Sequence, residues 1–130
     1  MNEFLNSLAA INFFFSRIER KKECGKMIEL TMTGNKNRKF NLGDIYMTKG
    51  VFEECNNKAG FYDFVTASVE KHSKGDWGNL SEQDKKENEF SLEKYLRILS
   101  AYYHPMSGKK IWVLTEADRS ITTVLFPEEY

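Results

Sequence analysis

The chain has no net charge: 19 Lys and Arg balance 19 Asp and Glu over 130 residues. That balance argues against a general electrostatic grip on DNA or RNA, which needs clustered cations, and leaves room only for a local basic patch. Cysteine is scarce. Cys24 and Cys55 stand far apart, with no second pair and no CxxC, so a structural zinc site is not expected. Two free thiols in a reducing cytoplasm are the expectation. The two histidines, His72 and His104, leave little material for a nucleophilic triad. Nucleophile elbow, P-loop, dinucleotide fingerprint and HExxH are all absent. No apolar run approaches the roughly 18 residues of a membrane span. Glu3 sits where a signal peptide would be positive, and Asn6 and Asn12 interrupt the apolar run around them. These absences give the expectation of a cytoplasmic chain that is not an enzyme and uses no cofactor or metal.

What is present is a globular composition, 41% hydrophobic and 29% charged, in a chain long enough to bury one core. Ten Phe, six Tyr and two Trp exceed what a core of this size requires. Part of that surplus is expected on a contact surface, where aromatics are enriched.

Residues 2–22 read as an amphipathic helix. Phe4, Leu8, Ile11, Phe15 and Ile18 form one apolar stripe at helical spacing, widened by Leu5 and Phe14. Arg17, Arg20, Lys21 and Lys22 gather in its last turns, where cations suit the helix C-terminus. Cys24-Gly25 offers a stop. Such a helix docks on its own domain, contacts a partner or a second copy, or lies on a membrane surface, for which Phe13, Phe14 and Phe15 would suit. The expected organisation is therefore a helix over 1–24 and a single α+β domain over 25–130.

Met27 to Met32 alternates as a strand, and Arg38 to Leu42 is expected to return beside it across the turn Gly34 to Asn37. Thr48 is an N-cap for a helix from Lys49 to about Asn56. A second helix runs from Phe61 to about His72, with Asp63 in its first turn. Ser81 followed by Asp84 resembles a capping box and starts a charged helix from Glu82 to about Phe90. From Tyr95 to Tyr103 both alternating sets are apolar, as in a strand covered on two faces. The stretch Lys110 to Phe126 reads as two strands joined by the polar turn Glu116 to Ser120. The expectation is an antiparallel sheet with a C-terminal three-stranded meander and helices packed on it.

Two stretches carry a resemblance. The run from His72 to Gly78 reads HSKGDWG, and Ile111 to Tyr130 reads IWVLTEADRSITTVLFPEEY. With Arg97 and Ser100-Ala101-Tyr102 between them, these resemble a family of small bacterial proteins from plasmids, prophages and other mobile elements. The likeness covers about residues 42–130 and leaves the N-terminal helix outside it. It brings no fold and no activity. What it implies is a setting: a factor that serves a mobile element against its host, such as an inhibitor of restriction or CRISPR systems. The expected partner is a host protein or ribonucleoprotein complex, with nucleic acid second and no membrane. The N-terminal helix is a possible homodimer contact.

The polar residues of the two motifs are His72, Asp76, Glu116, Asp118, Arg119, Thr122 and Thr123. If they converge, His72, Asp76, Glu116 and Asp118 make a carboxylate–imidazole cluster able to bind a divalent metal or act as acid and base. Arg119 would then hold a phosphate bidentately, which describes a metal-dependent phosphoesterase. The stronger reading is structural: Asp76 bonds its own loop, Trp77 plugs the core, an acid of the turn pairs with Arg119 or Arg97, and His72 ends its helix as an imidazolium. A regulator that binds nucleic acid through Arg17 to Lys26 and Lys36 to Lys39 is a third alternative. The expected contact residues are Phe4, Leu8, Phe13, Phe14, Arg17, Arg20, Lys21 and Lys22 on the helix. His72, Asp76, Trp77, Glu116, Asp118 and Arg119 supply the rest.

Overall fold

A computed structural model describes residues 25–26 and 37–130, and the N-terminal contact residues Phe4 to Lys22 lie outside them. So does the expected strand Met27 to Met32. Among the described residues the fold is α+β, with three helices and a mixed sheet. The strands are β1 (Gly25–Lys26), β2 (Asp44–Met47), β3 (Ile98–Tyr103), β4 (Lys110–Thr115) and β5 (Ile121–Leu125). Their spatial order is β1-β2-β5-β4-β3.

The strands β3, β4 and β5 are successive antiparallel neighbours. The sheet as a whole departs from the antiparallel expectation, because β2 runs parallel to β5, with Ile45 beside Thr122 and Met47 beside Val124. The chain reaches that position only after passing through Gly43 at φ +66°, where a Cβ would run into the Ser120 carbonyl. The expected strand over Arg38 to Leu42 is corrected to an irregular segment, and the strand begins at Asp44. Residues 38–42 instead run along the end of the second helix: Lys39 N–H donates to the Ser73 carbonyl at 2.7 Å.

The helices are α1 (Lys49–Asn57), α2 (Phe61–Ser73) and α3 (Glu82–Lys94). Thr48 caps α1, its Oγ1 accepting from Val51 N–H. Glu129, brought back by the C-terminal 3-10 turn, completes that cap. Its carboxylate accepts from Thr48 Oγ1–H, Gly50 N–H and Phe126 N–H, a long-range contact that no local signal foretells. In α2, Phe61, Val65, Ser68, Val69 and His72 are buried, which is one face at helical spacing. Ser81 Oγ accepts from Asp84 N–H at the start of α3. This helix runs four residues past its expected end and stops at Tyr95, whose φ of 54° is left-handed.

One sheet face carries Ile45, Met47, Ile111, Val113, Val124 and Tyr102 against Val51, Phe61, Val65 and Val69. The opposite face holds the smaller cluster Leu99, Leu114 and Leu125, with Leu80 and Trp112 beside it. Among the described residues no helix is long and apolar enough to cross a membrane.

Candidate functional site

A line of polar side chains crosses the larger core. His72 is fully buried. Its Nδ1 lies 2.5 Å from Ser100 Oγ and its Nε2 lies 2.9 Å from Thr115 Oγ1. Thr115 Oγ1 is 2.7 Å from Thr122 Oγ1, which donates to the Leu42 carbonyl at 2.7 Å. The terminal carbonyl fixes every proton along this line. Thr122 uses its one hydrogen on Leu42, so it accepts from Thr115. Thr115 then accepts from His72, so Nε2 carries the imidazole proton and Nδ1 accepts from Ser100. The ring is neutral. Burial first, and the nearby Arg119 cation second, push its pKa down to about 3. The expectation of an imidazolium ending α2 is thereby corrected: both ring nitrogens are engaged inside the core.

The GDWG segment closes a sheet edge. Gly78 forms a parallel bridge with Ala101, Ala101 N–H donates to the Trp77 carbonyl, and Asn79 N–H donates to the Ala101 carbonyl at 2.7 Å. Asn88 on α3 covers the next stretch, exchanging two hydrogen bonds with the Leu99 backbone. The open groups of β3 are thus paired, which protects an edge from adding another strand. Gly78 adopts φ +75°, and a Cβ there would meet the Ala101 carbonyl. Trp77 is buried, and its indole N–H donates to the Glu89 carboxylate at 2.9 Å. Asp76 is exposed and accepts from Gly78 N–H. Its own carbonyl accepts from the Tyr102 phenol, whose pKa burial raises above its ordinary value.

The β4–β5 turn is held by Arg119, a residue with φ 62°. Its guanidinium donates to the carbonyls of Leu96, Glu116 and Ala117 through one terminal nitrogen and of Ser91 through the other. It lies between two rings, 5.6 Å from the Phe40 centroid and 5.1 Å from that of Tyr95. Only 8% of the residue is exposed. The expected bidentate phosphate fork is corrected, since both terminal nitrogens already serve backbone carbonyls. Glu116 pairs with Arg97 at 3.1 Å. Asp118 turns back on Ser120, whose Oγ–H and N–H both donate to it. Those bonds, the hydroxyl first, hold the exposed carboxyl below its usual pKa.

The two motifs do meet, directly where His72 bonds Thr115 and again through a residue that belongs to neither. Phe40 packs edge-on to His72 at 5.2 Å, stacks near Trp77 at 6.3 Å and lies under Arg119. The acid–imidazole cluster does not form, because His72, Asp76, Glu116 and Asp118 each face different partners. Among the described residues no group of three or more His, Cys, Asp or Glu is placed to hold a metal ion. Cys55 is half-buried and unpaired. Burial, with Glu54 beside it, pushes its thiol up to about 11, which removes it as a nucleophile near neutrality. His104 is partly covered rather than exposed, packing on Phe61 and Phe64.

Beside Arg119 the surface opens into a cavity of about 640 Å³. Arg38, Lys39, Phe40 and Asn41 line one side, Leu92 and Tyr95 of the α3 end another, and Asp118 and Arg119 the third. The basic pair Arg38 and Lys39 was visible in the sequence as a patch, but its meeting with Arg119 and Tyr95 was not.

Neither a protein-family model, nor a curated protein, nor a solved structure matches this chain.

Proposed function

We propose that this chain is a small binding protein of a phage or other mobile element. It blocks a host defence complex, of the restriction or CRISPR type, by stoichiometric association rather than by chemistry of its own. One observation carries the reading. The titratable side chains of both motifs are engaged in holding the fold, while the end of α3 presents apolar side chains to solvent. Phe90, Tyr95 and Leu96 are 50%, 67% and 46% exposed, and Tyr95 borders the open cavity. Aromatics in that position supply contact area with few rotatable bonds. The setting comes from the resemblance carried by the HSKGDWG and TEADRS stretches, and the partner class, a host protein or ribonucleoprotein, comes with it.

Titrating reconstituted restriction and CRISPR effectors with the full chain tests this. The expected result is inhibition that is complete at a molar ratio near one and is lost in Tyr95→Glu and Leu96→Glu variants of unchanged circular dichroism. Inhibition that turns over at low ratio, or no inhibition of any effector, overturns the proposal.

A further inference from the structure

We propose that the cavity between the 38–41 segment, the end of α3 and the β4–β5 turn is the pocket that receives an acidic side chain, Asp or Glu, of the protein partner. The inference rests on the binding reading above and names what that surface recognises.

Three cationic side chains, Arg38, Lys39 and Arg119, line the cavity against one carboxylate, Asp118. The chain as a whole is neutral, so this excess is local. Asp118 adds little opposition, because Ser120 already donates to it twice. One donor here lacks an acceptor among the described residues. Arg38 Nε–H is buried without a partner, although its terminal nitrogen reaches Glu70 at 3.4 Å. A buried donor without a partner costs stability unless a ligand or water meets it. Phe40, Leu92 and Tyr95 complete the walls, and apolar walls strengthen attraction between charges by lowering the local dielectric. The Arg119 fork is closed by Leu96, Glu116, Ala117 and Ser91, so Arg38 and Lys39 carry the contact, and the anion that a protein partner presents to them is the carboxylate of Asp or Glu.

The test is an NMR titration of the full-length ¹⁵N-labelled chain with a capped peptide containing Glu-Glu, with its Gln-Gln counterpart, and with inorganic phosphate. The expected result is saturable shifts at Arg38, Lys39, Tyr95 and Arg119, with the Gln-Gln peptide weaker by about tenfold or more. Arg38→Gln and Lys39→Gln, which leave the Arg119 contacts in place, each weaken the Glu-Glu peptide by about threefold to tenfold. Equal binding of the Gln-Gln peptide, the same shifts from phosphate at lower concentration, or indifference to both variants overturns the inference. Because this readout needs no host factor, it separates the two claims. Effector inhibition without peptide binding removes the pocket assignment alone, and peptide binding without inhibition removes the host-defence reading alone.

Discussion

The His72 line and the Arg119 cavity are both clusters of polar side chains beside Phe40, and they differ in one respect. Every hydrogen along the His72 line has an acceptor inside the protein, and the line ends on a backbone carbonyl. Around Arg119 the inward donors are closed on four carbonyls, but the outward surface faces an open cavity with cations to spare. A polar group in a core is explained once its partners are counted. A polar group at a surface cavity is explained only when something outside the chain is counted too.

The largest effect should come from the structural half of the second cluster. Arg119→Ala removes four carbonyl bonds and two ring contacts and takes from the Leu96 carbonyl its donor, while the Ser91 carbonyl keeps the Leu96 N–H. It should cost about 3–4 kcal/mol, read as a fall in melting midpoint in urea. A cost below about 1 kcal/mol would mean the turn does not depend on it. Gly78→Ala comes next, since a left-handed residue gains a Cβ against the Ala101 carbonyl. A loss of about 2–3 kcal/mol is expected, together with faster exchange of the Ala101 amide as the β3 edge opens.

The His72 line predicts a pH dependence of defined sign. The folded ring has a depressed pKa of about 3, while the unfolded ring titrates near 6.5. Below about 6.5 the unfolded chain binds a proton that the folded chain refuses, so this group's contribution is whole above that pH and declines as pH falls toward 3. The slope is about 1.4 kcal/mol per pH unit. His72→Gln should flatten it, as urea melts across pH 7 to 4 would show. The smallest effect belongs to the open half of the cavity. Lys39→Gln should change stability by no more than about 0.5 kcal/mol while weakening the acidic peptide, and a large loss of stability there would erase the contrast.

Much of the fold was legible, because its signals are local. Thr48 and Ser81 cap as their side chains dictate, α2 buries the face its periodicity marks, and the Lys110 to Phe126 stretch forms two paired strands across a polar turn. What escaped is non-local. The parallel contact of β2 with β5 joins residues far apart in sequence, and a four-residue strand has too short a pattern to announce itself. The strand expected from Tyr95 starts at Ile98 because the α3 stop lies at Tyr95. Thr122 stood out as a polar motif residue, but Ser100 and Thr115 looked like ordinary strand residues, since only strand register shows that they share a face with His72. Of the cavity, the cations were legible one by one, and their convergence was not. Phe40, which touches His72, Trp77 and Arg119, carries no signal beyond being aromatic.

The most direct test of the distinction between an engaged core and an open site is the ¹⁵N NMR titration of the His72 imidazole. The line of hydroxyls predicts a neutral ring protonated at Nε2, with no titration between pH 8 and about 4. A ring that takes up a proton near its ordinary pKa of about 6.5, or that carries its proton on Nδ1, would contradict the account and return His72 to the set of groups able to do chemistry.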